Sequence, residues 1–472
     1  MNMSKKENLI VEGIQSWPWY LGFLKDSYSC LNKMSEQPAN PFVLGNPVPF
    51  GGRGRRHVFA FSEEANKTVL AQPDIFRSGG QVIKGPKNSA HQRLRTGIIA
   101  MNGRKHRQHR KLMQPPFAKI AVATYVPTIT RLIDQVLDRW DMDKPFDMYV
   151  ETTKMANWIA AHILFDHDDF DRSTQTCELI TKWIDLDVKA RKLPVAFDIT
   201  GTAGARLLRH AEVVEEAMHE LINAKRKETE PGKDVLSILV HAAKVEDVRL
   251  TDVDLSAHAV ILHAAAFVTT ATALAWAMYL IAQNPKFAAD LNDEIEANIT
   301  NWPPDAAQVD SLPLLDGLIR ESLRLLPPVH HVIRTATKDA ELEGVEMRSG
   351  DRAVVSAFMT HRDPDIFSDP TKFDPTRWMG TKPGPFQFIP FSAGPRLCLG
   401  YQFVMLEMKL VVIRAMQRFK LNLVEGSHID ANVQLTLRPA EGLPMVVSKP
   451  DGQFSATQVT GNINELVKNE QD

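Results

Sequence analysis

The residues with the clearest chemical potential lie in the stretch FIPFSAGPRLCLG, Phe388 to Gly400. It holds Cys398, one of three cysteines in the chain, between Gly394 and Gly400 and two residues after Arg396. A long apolar run, YQFVMLEMKLVVIRAMQRF, follows with helical spacing. The start of a helix carries partial positive charge and favours a thiolate placed there. Arg396 adds a cation, and the glycines let backbone approach something flat and bulky. Such a thiolate suits a soft metal centre or a catalytic nucleophile. The plainer expectation for a lone cysteine is a buried structural one.

The spacing separates these readings. Phe391, Gly394, Arg396, Cys398 and Gly400 follow FxxGxRxCxG. This resembles the haem-thiolate signature of the cytochrome P-450 superfamily. The resemblance implies haem b as cofactor, with Cys398 as the axial iron ligand whose thiolate pushes electron density toward O–O cleavage. It makes Arg396 a haem-propionate partner, Phe391 a packing residue beside the sulfur, and Gly400 part of the cofactor site. It also implies a mainly α fold with small β-sheets, built as a single large haem domain.

Other motifs stand in the order this resemblance requires. RESLRLLPP places Glu321 and Arg324 three apart, on one helix face. Taken alone, such a pair is a surface salt bridge worth little. The resemblance makes it a buried structural triad with Arg377 of FDPTRW. GRKHRQHRKLMQPPF supplies His106 and Arg110 as HxxxR, and the resemblance places both, with Arg334, on the haem propionates. Two carboxylates need several cations, and arginine grips carboxylates through two hydrogen bonds. Arg104, Lys105, Arg107 and Lys111 read as a solvated helix face and form a candidate basic patch for an acidic redox partner. The segment THRDPDIFSDPTKFDPTRW also resembles the family between the Glu321 helix and the cysteine.

One departure matters. The family's central helix carries a small pair, any residue, an acid, then threonine. Here that stretch is AAFVTT, Ala265 to Thr270. Ala266 stands where glycine is usual and Val268 where the acid is usual, while Thr269 keeps the threonine. Thr269 and Thr270 are the expected catalytic hydroxyls. Valine relays no proton, so either another group does so or proton delivery is slow. His263 could join a water chain; the plainer expectation is that it faces another helix. His330 and His331 of LPPVHHVIR fall where the family lines its substrate pocket, alongside Ala265, Ala266 and Val268. Two adjacent side chains cannot both point inward from a strand, so one is expected to be structural. Lys84, Lys87, Arg93 and Arg95 fall in the first substrate loop and read as solvated loop charges.

These residues need elements to position them. The run TDVDLSAHAVILHAAAFVTTATALAWAMYLIAQNP predicts one long buried helix, opening on a Thr or Asp cap and stopping at Asn284-Pro285. A membrane span is its rival, and Asp252, Asp254, His258, His263 and the threonine pair argue against it. VPTITRLIDQVLDRW and LLRHAEVVEEAMHELINAKRKE also have helical spacing. HVFAFS, DAELEGVEMRSGDRAVVSA, VQLTLRPA and PMVVSKP read as short strands. The chain is divided into an N-terminal segment, 1–39, without a transmembrane helix; a catalytic region, 40–448; and a polar, loose tail, 449–472. WPWYLGFL reads as a packed core segment, with membrane-surface contact as the alternative.

Composition narrows the function classes. A net charge of −2 over 472 residues carries no nucleic-acid-binding footprint. The cysteines are far apart, odd in number and form no CxxC, so a disulfide framework and a zinc ribbon are excluded. A soluble cytoplasmic protein in a reducing compartment is expected. The leading function is a haem-thiolate monooxygenase that inserts one oxygen atom from O2 into a small apolar organic substrate, by hydroxylation or oxidative demethylation. Its NAD(P)H electrons are expected through a separate ferredoxin or flavodoxin and its reductase. Val268 motivates a second reading, a peroxygenase, isomerase or dehydratase. A haem sensor without enzymatic activity is third.

Overall fold

The computed structural model describes residues 9–11, 13–35, 41–45, 55–79, 85–167, 169–191, 201–230, 232–245, 250–380 and 382–470. Lys84 lies outside them. Six helices matter for the site: α1 (Trp17–Lys25), α2 (Gly103–Met113), α3 (Met148–Phe165), α4 (Asp252–Gln283), α5 (Pro313–Leu325) and α6 (Tyr401–Arg418). Further helices at Val126–Leu137 and Ala203–Lys227 stand where apolar spacing predicted them.

Helix α4 runs for 32 residues through the core and packs along α3. Its start is set by a capping box. The Thr251 hydroxyl accepts the Asp254 N–H at 3.1 Å, and the Asp254 carboxylate accepts the Thr251 N–H at 3.2 Å. Pro285 cannot continue the helix and opens the next one instead. Among the described residues α4 is the one helix long and apolar enough to cross a membrane, and 67% of its most apolar window is buried inside the protein. That burial fits the predicted core helix.

The β component is small, as expected. Strands β1 (Leu9–Val11), β2 (Phe42–Gly45), β3 (Arg56–Phe59), β4 (Phe76–Arg77), β5 (Val332–Ala336) and β6 (Arg352–Val355) form one sheet in the order β1-β2-β3-β6-β5-β4. Strand β5 pairs antiparallel with β6, Val332 facing Val355 and Arg334 facing Ala353. A hairpin, β7 (Ala431–Val433) and β8 (Leu437–Pro439), reaches α4. There Trp276 Nε1 donates to Leu437 O at 2.7 Å, and the Thr272 and Thr436 hydroxyls meet at 3.1 Å. Strands β2 and β5 escaped the sequence reading because they are short and their side chains do not alternate between apolar and polar.

Two expectations change. The tail expected to be loose is docked. Ile463, Leu466 and Val467 are buried on a short helical turn, and the Lys468 carbonyl accepts the Phe373 N–H at 2.9 Å. Three apolar side chains suffice to anchor a stretch whose composition is otherwise polar. The WPWYLGFL segment is only half packed. Phe23 is buried and Trp19 stacks on Phe42, whereas Trp17 and Leu21, four apart on α1, are 39% and 52% exposed.

Candidate active site

The collar around Cys398 is a tight loop closed by backbone. Gly394 adopts φ +64°, and a Cβ there would meet the Leu70 carbonyl oxygen at 2.7 Å, so only glycine fits. The Cys398 N–H donates to Phe391 O at 2.9 Å. The Phe391 ring packs edge-on against Tyr401, centroids 4.9 Å apart. Gly400 caps α6, so the helix opens three residues after the cysteine. Cys398 is enclosed by protein yet keeps accessible surface, which places its thiol at an internal cavity. Burial raises its pKa; the Gly400 N–H and the Arg110 charge act in the opposite direction.

Four basic groups converge beside the collar. Arg110 Nη2 donates to Leu397 O at 2.7 Å. Arg396 donates to Asn102 Oδ1 at 2.8 Å and to the Ile99 and Met101 carbonyls. Among the described residues Arg334 bonds only the carbonyl of Ile333, at 3.2 Å. Burial, then the charge of Arg396, lowers the pKa of Arg334 to about 10. Burial, then the charge of Arg110, lowers that of Arg396 to about 10. His106 is held near 4 by burial and by Arg396, Arg110 and Arg107. Among the described residues no acid pairs with Arg110, Arg334 or Arg396. A buried cluster of cations without a counter-charge is the electrostatic mould of an anion.

Helix α4 carries a stripe of accessible residues. Between Asp254 and Gln283 the only residues that are not buried are Ile261, Leu262, Ala265, Ala266, Val268 and Thr269. They recur at intervals of four, as 261–265–269 and 262–266, and so share one face. Thr269 Oγ1 donates to Ala265 O at 2.8 Å, which leaves its lone pairs free to accept. Thr270, expected beside it, is off the stripe: it is 1% exposed and its hydroxyl has no partner. One residue of helix turns the side chain by about 100°. His263 is also turned away. Its ring stacks between Phe165 and Phe267, at 5.4 and 5.2 Å, facing α3 as the plainer reading had it.

The pair Glu321 and Arg324 is fully buried and doubly bonded, at 2.8 and 2.7 Å. Arg377 Nε donates to Glu321 Oε1 at 3.0 Å. Two partners escaped the sequence reading. Trp378 Nε1 donates to Glu321 Oε2 at 3.0 Å. His361 accepts the Ile389 N–H on Nε2 at 2.9 Å, which fixes its other nitrogen, Nδ1, as the donor to Arg324 O at 3.2 Å. This ring ties the triad to the first residues of the collar. Their signal was present in HRDP and TRW, but nothing in the spacing says what each side chain reaches.

Of the remaining predicted residues, His330 is 2% exposed and stacks on Phe358, while His331 keeps accessible surface. Arg93 and Arg95 are not free loop charges. Arg93 pairs with Glu215 through two bonds, at 2.7 and 2.5 Å, and Arg95 with Asp187 at 2.8 Å. Lys87 is exposed. Arg104, Lys105, Arg107 and Lys111 are exposed along α2, with Lys105 paired to Asp254 at 2.6 Å and Arg107 to Asp74 at 3.6 Å.

The family model for cytochrome P-450 matches residues 44–444. The chain belongs to the cytochrome P-450 family. A Mycobacterium tuberculosis chain described as cytochrome P-450 139 is 29% identical over 422 residues, 86% of this chain and 95% of that one. Cyclooctatin synthase and cyclooctat-9-en-7-ol 5-monooxygenase of Streptomyces melanosporofaciens are 28% and 27% identical, each over 79% of this chain and 82% of theirs. A retinoic-acid-bound cyanobacterial CYP120A1 superposes with a TM-score of 0.77 at 23% identity, covering 91% of this chain and 96% of its own, a likeness of fold.

Cytochromes P-450 are haem-thiolate monooxygenases, and this chain is such an oxidoreductase with haem b as its cofactor. They need O2 and redox partners and act on organic substrates. The residues present fit the haem. Arg396 Nε is buried without a partner, and the cation cluster lacks an acid. A Cβ on Gly400 would meet nothing nearer than Val404 at 4.0 Å, so its absence keeps space open beside the thiol rather than relieving a protein contact.

Proposed function

We propose that this cytochrome P-450 hydroxylates or oxidatively demethylates a small apolar substrate, using electrons from a separate ferredoxin or flavodoxin system. The observation that carries this reading is the accessible Cys398 thiol in its glycine collar, with Arg110, Arg334 and Arg396 beside it and no acid paired to them among the described residues. Cys398 would ligate the iron, and His106, Arg110, Arg334 and Arg396 would hold the propionates. The haem, when bound, supplies dioxygen activation at its iron. The chain supplies the rest. Ile261, Leu262, Ala265 and Ala266 exclude water and hold an apolar skeleton near the reacting centre. Thr269 Oγ1 anchors a proton-bearing water through its free lone pairs. The Glu321–Arg324–Arg377 triad, with His361 and Trp378, fixes the collar. The exposed Arg104 and Lys111 on α2 offer an acidic redox protein a basic landing face.

The name of one relative, cyclooctat-9-en-7-ol 5-monooxygenase, gives an alcohol as that protein's substrate. An apolar skeleton bearing one oxygen is the substrate class we carry to this chain. The test is a carbon monoxide spectrum of the reduced haem protein, followed by product analysis with a ferredoxin system. A thiolate-type spectrum with hydroxylated or demethylated product is expected. An imidazole-type spectrum would overturn the assignment of Cys398.

Val268 favours a second reading, turnover without external electrons. Among the described residues of the α4 stripe there is no acid to carry protons toward the iron side. Peroxide-driven turnover that matches turnover with reductase would support this second reading over the first.

A further inference from the structure

The helix Pro285–Asn298 is capped from far along the chain. Its N-cap residue is Asn284, a type whose side chain ordinarily accepts the N–H of the second or third helical residue. Here it does not. Asn284 is buried and turned the other way. Its Nδ2 donates to Leu280 O, in the last turn of α4, at 2.8 Å and to Asn469 Oδ1 at 3.1 Å, and its Oδ1 accepts the Glu470 N–H at 2.9 Å. Glu470 takes over the cap. Its carboxylate accepts the Lys286 N–H at 3.0 Å and the Phe287 N–H at 3.1 Å. A carboxylate there also meets the partial positive charge of the helix start. A residue 184 positions beyond Lys286 thus closes this helix and grips the end of α4.

The same segment reaches the support of the collar. Lys468 N donates to Thr371 O at 2.8 Å, and Lys468 O accepts the Phe373 N–H, so Lys468 bridges in parallel to Lys372. The Pro370 and Lys372 carbonyls are the ones that buried Arg324 uses, at 2.6 and 3.1 Å. Arg362, next to His361, donates to Leu466 O at 3.1 Å. Phe373 packs edge-on against Phe287, centroids 5.3 Å apart, which joins the capped helix to the same stretch. The segment lies beyond residues 44–444, the part of the chain that the family model matches.

We propose that residues 463–470 form a strap that positions the thiolate collar, with Glu470 as its closing contact. Closed, the strap fixes Thr371 to Phe373, and with them the acceptors of Arg324 in the triad behind the collar. It also ties that support to α4, the helix that carries Thr269. Glu470 is exposed while Ile463, Leu466 and Val467 are buried, so opening starts at Glu470. Once open, the strap no longer holds the Arg324 acceptors, and the collar is freer to let Cys398 leave the iron. This deepens the monooxygenase reading and rests on it for Cys398 as the iron ligand. Glu470 and Lys468 are positioning residues, acting through Arg324 and the collar.

The test compares Glu470→Ala and Glu470→Gln with wild type as haem proteins. The readout is the rate at which the thiolate-type carbon monoxide spectrum gives way to a thiol- or imidazole-type one, at a temperature where circular dichroism shows full helix content. Glu470→Ala should speed this conversion about fivefold, the effect of losing one cap. Glu470→Gln, which keeps an acceptor oxygen, should recover part of the difference. Thr202→Ala is the control, since it removes a cap bond from Ala205 N at 3.2 Å on another helix. It should lower the melting temperature and leave the conversion rate at the wild-type value. Conversion unchanged in Glu470→Ala, or sped equally by Thr202→Ala, overturns the proposal. Hydrogen exchange of the wild-type haem protein gives a readout without a variant. The Lys286, Phe287, Phe373 and Lys468 amides are expected to open as one unit. Lys286 and Phe287 amides that exchange unprotected, or independently of Phe373 and Lys468, overturn the proposal even if no variant folds. A wild-type protein without the thiolate-type spectrum overturns the assignment of Cys398 instead, and the exchange pattern then still decides whether the strap exists.

Discussion

At the scale of single residues, Cys398 is held by opposed influences. Burial disfavours its thiolate, while the Gly400 N–H and Arg110 favour it. An iron centre removes the conflict, since a coordinating thiol is deprotonated outright. Cys398→Ala is expected to abolish the thiolate-type carbon monoxide spectrum, a change read directly by difference spectroscopy. Val268 makes the second residue-scale prediction. Val268→Asp should leave that spectrum intact and raise the fraction of NAD(P)H consumption that ends in product. Unchanged coupling on that substitution would end the proton-relay argument. Positioned acid–base groups typically contribute on the order of a hundredfold or more, so the change should be measurable. Cys398 stood out in the sequence through the resemblance its neighbours carry, and the left-handed Gly394 shows the backbone constraint behind one of those neighbours. The roles of Thr269 and Thr270 were not separable there, since helical phase decides which hydroxyl meets the cavity.

At the scale of elements, the collar depends on a helix it never touches in sequence. Helix α5 presents Glu321 and Arg324, and Arg324 reaches the carbonyls of Pro370 and Lys372 at 2.6 and 3.1 Å. His361 then links the Arg324 carbonyl to the Ile389 N–H. Removing this ring leaves a buried carbonyl and a buried N–H unpaired, at about 1–3 kcal/mol each. His361→Leu is therefore expected to lower unfolding stability by roughly 2–6 kcal/mol and to speed haem loss, measured by denaturant melts and transfer to a haem acceptor. His361→Asn, which keeps a donor and an acceptor, should recover part of both. Haem retention equal to wild type in His361→Leu would show that the collar is held without it.

At the scale of the whole molecule, buried histidines set the response to acid. Burial lowers the pKa of His57 and His167 to about 4 and of His258, His263 and His361 to about 3. Free histidine titrates near 6.5. The unfolded chain thus takes up protons as the pH falls below about 6.5, while the folded chain does so only near 3–4. Stability from these groups is complete above the unfolded pKa and is lost as pH falls toward the folded values. Each contributes up to about 1.4 kcal/mol per pH unit in that window. Denaturant melts of the haem protein should show a steep loss of stability from pH 6.5 to 5. His263 has both ring nitrogens unpartnered between two phenylalanines, so His263→Phe should make that slope shallower by about one proton. An unchanged slope would mean that His263 is already charged in the folded protein.

The sequence by itself determined the chemistry and the long elements. FxxGxRxCxG assigned the thiolate to Cys398 through its resemblance to the haem-thiolate signature, and a cysteine close to a helix start is chemically suited to that role. The 32 residues of α4 were legible because a capping threonine, an unbroken apolar run and a proline stop act locally. Tertiary structure alone decided what those elements face. Ile463, Leu466 and Val467 anchor a polar tail only because a surface elsewhere receives them. Arg93 and Arg95 found acids 122 and 92 residues away. His330 stacks on Phe358 while His331 packs against Phe23, partners supplied by distant segments. Composition and spacing act along the chain; burial and partner choice are properties of the packed molecule, where the free energy of a side chain depends on every element it meets.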